Sequence, residues 1–266
     1  MQEEEVGKNK ILNIKEENYK KVIITKNGKF TVYSLFFDCN RFSTLNSLSK
    51  EDELELEKES KLSKMVDFCI KILRKNFISS NELRQKLNKK FNDEELTNEV
   101  IELLINNKIL DDKKYVLIAK SLLDEAMYGK YFIIDYFKKK KISNEIIATL
   151  TFDEEKEVEK AFNFFQSIKN IYVFTNTLKA KKKIGQELLS RGFELNIISS
   201  LVDNLKTDHE NEQKLLEKDA IKLKNKFSKK YSGLVLQNKI ITGLIKIGYS
   251  YKEITNYLNN GGISND

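Results

Sequence analysis

Ile184-Gly185-Gln186-Glu187-Leu188-Leu189-Ser190-Arg191-Gly192-Phe193-Glu194-Leu195-Asn196-Ile197-Ile198-Ser199-Ser200-Leu201-Val202 is the stretch whose reading decides the fold. Ile184, Leu188 and Leu189 recur at helical spacing, and Ile197, Ile198, Leu201 and Val202 take it up again. Between them Arg191-Gly192-Phe193 reads as a tight turn with an aromatic plug. The same pattern returns at Ile240, Ile241, Leu244 and Ile245, then Ile247-Gly248-Tyr249, then Ile254 and Leu258. Counted from the glycine, apolar residues at −4, −3, +6 and +10 coincide in the two copies.

Working outward, a third copy sets Ile133, Ile134 and Phe137 before Lys141-Ile142, with Ile146, Ile147 and Leu150 after. A fourth sets Leu83 and Leu87 before Lys90-Phe91, with Leu96, Val100 and Leu104 after. Both carry lysine in the glycine's place. Each pair is preceded by another amphipathic stretch, at 62–74, 111–123, 153–165 and 212–226. The unit is therefore a three-helix motif of about 40–55 residues, present four times. The boundaries expected are 61–110, 111–152, 153–206 and 207–266. Such repeats stack neighbour on neighbour, which predicts a mainly helical, elongated and curved array. The sequence contains no proline, so glycine, asparagine and serine must end its helices.

Residues 1–60 read differently. Lys21–Thr25 and Phe30–Phe37 are rich in β-branched and aromatic residues, and Asn27-Gly28 between them is a strong hairpin signal because both residues tolerate positive φ. A lone hairpin is marginal, so a further strand or docking on the following helix is expected. Ser49-Lys50-Glu51-Asp52 resembles a capping box and opens an acidic helix to about Ser60.

Composition narrows the function classes. The 266 residues carry 47 basic and 40 acidic side chains, a net charge of +7, with residues 1–60 at −2. The basic excess suits a nucleic-acid or acidic partner. Only Arg41, Arg74, Arg84 and Arg191 are arginines, and lysine acts on phosphate mostly as a point charge, so sequence-specific base reading is disfavoured. No apolar run reaches bilayer length, and the acidic N-terminus is unlike a secretory signal; a soluble, cytoplasmic protein is expected. Cys39 and Cys69 fit that compartment as small, buried or half-buried thiols. The single histidine, His209, lies in the polar stretch Thr207–Glu212, which reads as a linker with the histidine exposed.

Chemistry-bearing motifs are missing. Gly129-Lys130-Tyr131 is no phosphate loop, since the earlier glycine would fall at Asp124 and no Ser or Thr follows the lysine. No cysteine pair has zinc spacing. No metal, nucleotide or other cofactor is expected, nor is an enzyme. Asp111-Asp112 precede an amphipathic helix and read as caps for its free amides. Tyr115 and Ala119 lie one turn apart on that helix, positioned to pack on the next repeat. Candidate contact residues are Lys138, Lys139, Lys140 and Lys141 at one helix end, and Lys181, Lys182 and Lys183 at the opening of the next such helix. Lysines at a helix N-terminus oppose its dipole, which points to a partner.

Several stretches resemble the RecX family. Leu73–Leu87, with Arg74, the Ser79 cap and the Glu82-Leu83-x-x-x-Leu87 helix holding Arg84, is similar to that family's opening repeat. Leu110-Asp111-Asp112-Lys113-Lys114-Tyr115 is similar to its Leu-Asp-Asp-x-x-Tyr-Ala stretch, with Val116 where the family usually has Ala. Leu188-Leu189-Ser190-Arg191-Gly192-Phe193, with Ile197 and Ile198, resembles its third repeat. The likeness covers about residues 20–260. Lys90 and Lys141 replace common glycines, and 169–178 is unusually aromatic. The resemblance implies a monomeric, non-enzymatic negative regulator that binds the RecA recombinase filament, with Arg74, Arg84, the two lysine groups and Arg191 as contact candidates. Any DNA contact would be weak and without sequence specificity. An alternative from the same three-helix pattern is a helix-turn-helix-like transcriptional regulator, against which the low arginine count argues.

Overall fold

The protein is described here by a computed structural model covering residues 9–37, 40–205 and 208–262. It is mainly helical, with a small N-terminal antiparallel sheet, as the sequence predicts. Two compact units emerge: residues up to 117 with 140–146, and residues 118–139 with 147 onward.

In the first unit, β1 (Asn9–Glu17), β2 (Lys20–Thr25), β3 (Lys29–Tyr33) and β4 (Ser47–Leu48) form a sheet in the order β3-β2-β1-β4. The expected hairpin is β2–β3. The further strand it needed is β1, paired antiparallel from Ile14 opposite Ile23 to Glu17 opposite Lys20. The turn differs from expectation, because neither Asn27 nor Gly28 is left-handed. Instead Thr25 closes it: its amide donates to Gly28 O at 2.8 Å and its Oγ1 accepts from the Gly28 amide at 3.1 Å. The left-handed residue is Asn18, φ 55°, between β1 and β2. Strand β3 also stops at Tyr33 rather than Phe37, because the amides of Phe36 and Phe37 turn back onto Tyr33 O. Ile23, Val32 and Leu48 pack with Leu56 and with Phe42 of the short helix α1 (Asn40–Ser43).

The capping box is present. The Ser49 side chain accepts from the Asp52 amide at 3.1 Å, and Asp52 accepts from the Ser49 amide at 3.1 Å. The helix it opens, α2 (Lys50–Leu73), does not end near Ser60 but runs 24 residues. Ser60 and Ser63 sit inside it because they face the sheet, accepting from the amides of Thr31 (3.2 Å) and Tyr33 (2.9 Å) on the edge of β3. One helix therefore serves both the sheet and the helical core beyond it.

That core adds α3 (Ser80–Phe91) and α4 (Glu94–Asn106), burying Leu62, Met65, Val66, Leu83, Leu87, Val100, Ile101 and Leu104. There follow α5 (Asp112–Glu125), α6 (Lys130–Lys139), α7 (Asn144–Ala148), α8 (Glu154–Lys169), α9 (Thr177–Ser190), α10 (Leu195–Asp203), α11 (His209–Phe227), α12 (Gly233–Ile247) and α13 (Tyr251–Asn259). Of the stretch expected as a linker, Thr207 lies outside the described residues and the remainder caps and opens α11. Asp208 caps it from the Asn211 amide at 3.2 Å, and His209 is its exposed first residue. Cores form from Ala161, Phe164, Phe165, Ile168, Ile184, Leu188, Phe193 and Ile198 in α8–α10, and from Leu216, Ala220, Ile240, Leu244, Tyr249 and Ile254 in α11–α13.

The turn chemistry explains where the pattern holds. Lys141 (φ 56°), Gly192 (φ 83°) and Gly248 (φ 119°) are left-handed, and each is followed by a buried plug: Ile142, Phe193 or Tyr249. The first group departs from this. Its left-handed residue is Asn92 (φ 51°), not Lys90, and Asp93 caps α4 directly, so this turn is one residue shorter. Lys90 remains helical, its ammonium 4.1 Å from the centre of the Phe68 ring. We propose that α2–α13 are four copies of one three-helix unit, bounded as the sequence suggests.

Candidate partner-binding surface

A carboxylate recurs near the N-termini of α5, α8 and α11. Asp112, first residue of α5, accepts the Ser80 amide of α3 at 2.8 Å and also binds the Ser80 hydroxyl. Glu157 of α8 accepts the Lys130 amide of α6 at 3.0 Å. Glu212 of α11 accepts the Thr177 amide of α9 at 3.0 Å and its hydroxyl at 2.9 Å. Each satisfies an orphan amide and sets a negative charge at the positive end of a helix dipole. Asp111, by contrast, caps its own helix, accepting from Lys113 and Lys114 at 2.9 and 3.1 Å, as the sequence predicts.

The left-handed turns reinforce these clasps. Arg191 O and Gly192 O accept the amides of Gly129 (2.8 Å) and Tyr131 (3.0 Å), so the start of α6 is held by α9's turn and Glu157 together. Asn176, the cap of α9, donates from Nδ2 to Ile247 O at 3.0 Å, beside Gly248. At α3 the corresponding contact is ionic: Lys140 pairs with Glu82 at 2.5 Å. Burial pushes the Glu82 carboxyl up, but the Lys140 pairing and the Ser79 amide outweigh it and hold the group below the usual glutamate range. A lowered folded-state pKa stabilises above the unfolded value and is lost as pH falls through the folded one. The Lys140–Glu82 contribution is therefore expected intact at neutral pH and lost in acid, as the pH falls through the lowered Glu82 value. Lys140→Met should flatten that acid limb in urea titrations at several pH values; an unchanged limb would refute the assignment.

The candidate residues do not gather at one point. Arg74 ends α2, exposed and with no ion pair among the described residues. Arg84 donates to Asn98 at 3.1 Å. Lys138 and Lys141 are exposed, while Lys139 pairs with Asp135 at 2.7 Å. Arg191 is committed: its guanidinium donates to Ala126 O at 2.8 Å and lies 4.4 Å from the ring centres of Tyr128 and Phe164. Lys181, Lys182 and Lys183 lie in the second turn of α9, not at its opening, because Asn176 caps that helix and starts it at Thr177. At that depth the lysines do not oppose the helix dipole, whose effect fades beyond the first turn. Lys182 is exposed, Lys183 lies 5.5 Å from the Tyr172 ring centre, and Lys181 reaches Asp203 O at 3.4 Å.

Leu110, Tyr115, Ala119, Gly192 and Phe193 are buried or half-buried. Tyr115 packs on Phe77, ring centres 5.0 Å apart. The three carboxylate clasps escaped the sequence reading, yet a signal exists. Asp153 and Asp208 each begin Asp-x-Glu-x-Glu, and its last residue is the clasp in both cases.

Other sites offer little chemistry. A cleft of about 770 Å³ is lined by Lys120, Asp124, Glu157 and Lys160, among others. Its charges pair: Asp124 with Lys120 (2.6 Å) and Lys160 (2.5 Å), and Lys160 with Glu157 (2.6 Å). Those lysines override burial and hold Asp124 below the usual aspartate range, leaving it ionised at neutral pH. Among the described residues no group of three His, Cys, Asp or Glu could hold a metal, and no helix is long and apolar enough to cross a membrane. Burial pushes the Cys69 thiol up to about 12, so it stays protonated, as the reading of a buried thiol anticipates; Cys39 lies outside the described residues.

No protein-family model matches the chain. It is 29% identical over 174 residues to regulatory protein RecX of Lactococcus lactis subsp. cremoris strain SK11, covering 63% of this chain and 65% of that protein. It is 31% identical over 228 residues to regulatory protein RecX of Streptococcus uberis, covering 79% of this chain and 85% of the relative. A crystal structure of regulatory protein RecX superposes with a TM-score of 0.62 at 18% identity, over 73% of this chain and all of that one. That likeness supports the fold.

Proposed function

The chain belongs to the RecX family of regulatory proteins, and from that premise we propose that it is a negative regulator of the RecA recombinase. It binds the RecA–DNA filament and inhibits extension, ATP hydrolysis and strand exchange in recombinational repair. Family membership carries this reading. The surface chemistry supports it, because exposed lysines such as Lys138, Lys141 and Lys182 offer charge to an acidic or phosphate-bearing partner. No covalent step is required: a protein that binds one filament state better than another shifts the population by its differential affinity. DNA contact is weak and unspecific on this reading, since lysine meets phosphate as a point charge and Arg191 is engaged internally. The protein acts as a monomer in the cytoplasm.

The test is co-sedimentation with RecA filaments preassembled on single-stranded DNA, alongside filament ATPase. The expected result is saturable pelleting with the filament and a falling ATPase rate. Pelleting no greater than with naked DNA would refute the reading.

A further inference from the structure

We propose that the knuckle between α8 and α9, residues 170–178, is a docking element whose occupant is an acidic protein surface with an apolar pocket. The proposal rests on the filament reading above and names the part of this chain that enters the partner.

Three observations carry it. First, the knuckle presents apolar side chains to water: Phe174 is 83% exposed, Ile171 66% and Leu178 61%. Side chains so exposed contribute little to the fold's own core, and contiguous exposed apolar surface marks interaction sites.

Second, the backbone beneath them is tied down. Asn170–Tyr172 is a 3-10 turn, Thr175 donates from its amide (3.0 Å) and its hydroxyl (2.8 Å) to Tyr172 O, and Asn211 of α11 donates to Val173 O at 2.8 Å. The Tyr172 hydroxyl binds Glu187, and Asn176 caps α9. A knob held in place loses little entropy on binding.

Third, the segment that carries it is rich in lysine. Between Glu159 and Glu187 the chain carries six lysines and no carboxylate. Lys182 follows Leu178 by one helical turn, and Lys183 stands over Tyr172. The carboxylates that meet the knuckle or open α11 have partners within the fold: Glu187 binds Tyr172, Glu212 holds Thr177, Asp208 accepts from the Asn211 amide and Glu210 pairs with Lys214.

Charge alone would also suit nucleic acid. The side chains decide between the two, because base stacking wants flat aromatic faces in series. The knuckle offers one exposed ring among aliphatics, the form of a knob for a protein pocket.

The experiment compares wild type, Phe174→Ala and Ile171→Ala in the full chain by co-sedimentation with RecA filaments and by binding to naked oligo(dT). Because both side chains are exposed, the variants should melt with wild type; Phe174→Leu, which keeps an apolar knob, should retain most binding. Filament affinity of the alanine variants should fall at least about tenfold, as for an interface hot spot, while oligo(dT) binding stays constant. Unchanged filament binding by both alanine variants would overturn the docking element and leave the filament reading standing. Wild type that ignores filaments would overturn both. Parallel loss on oligo(dT) would replace the protein pocket with a stacking platform and overturn the proposal.

Discussion

Gly192→Ala is expected to cost about 3 kcal/mol or more in the unit that contains α8–α10. Two independent penalties combine. The residue is left-handed, φ 83°, where a Cβ meets the following carbonyl and costs about 1–2 kcal/mol. The added carbon would also lie 2.1 Å from Phe132 N and 2.6 Å from Phe132 Cβ, a clash that only backbone movement relieves. Moving that backbone breaks the hydrogen bonds from Gly129 and Tyr131 to α9's turn. Gly129 is exposed to the same constraint from the other side, since its own Cβ would fall 2.5 Å from Gly192 O. Denaturant unfolding should report the loss, and hydrogen exchange should speed at Gly129 and Tyr131. Gly185→Ala is the control. It lies inside α9, where a Cβ would make ordinary contacts at 3.8 Å and 3.9 Å with Ile198 and Val202, and should stabilise by about 0.5–1 kcal/mol. A Gly192 variant as stable as wild type would show that this turn does not lock α6 to α9.

Why Gly192 is visible in the sequence and Glu157 is not follows from what each kind of residue signals. A left-handed turn followed by a buried plug leaves a local mark, so Gly192-Phe193 and Gly248-Tyr249 align without a structure. Lys141 shows itself only by position, since nothing about a lysine advertises φ 56°. Lys90 misleads for a related reason: alignment by the plug residue conceals that this turn is one residue shorter and that Asn92, a residue tolerant of positive φ, makes it. The carboxylate clasps join residues 27 to 35 positions apart, Lys130 to Glu157 and Thr177 to Glu212, so no short window contains both partners. A glutamate four residues past an N-cap reads locally as a solvated charge; Glu157 and Glu212 are instead buried. Strand β1 hides differently. Asn9–Glu17 is polar enough to pass for coil, and only its pairing with the hydrophobic β2 identifies it. The contact candidates come from charge runs, which report abundance but not engagement, and Arg191 proves to be engaged.

Charge reversal at the second turn of α9 should have the largest effect on partner binding. Lys181→Glu, Lys182→Glu and Lys183→Glu together are expected to weaken inhibition of RecA ATPase and strand exchange roughly tenfold or more at low salt, with the difference shrinking as salt rises. The native interactions of these side chains are slight: one long hydrogen bond to Asp203 O, one ammonium over a ring and one exposed ammonium. The fold should therefore survive, and helical circular dichroism should match wild type. Glutamate in the second turn is also no worse for the α9 dipole than lysine, which removes one competing explanation for any fall in activity. The target of the lysines separates on naked single strands. If they meet phosphate, oligonucleotide affinity falls in the triple variant and its dependence on log salt becomes shallower by about 0.7 for each phosphate no longer neutralised. If they meet carboxylates on the recombinase, naked-strand binding is untouched and only the filament is released. The knuckle beside them predicts the second pattern, since exposed Phe174 and Ile171 would engage a protein pocket that the lysines flank. Full inhibition by the triple variant across several salt concentrations would remove α9 from the interface and return these lysines to a solvated helix face.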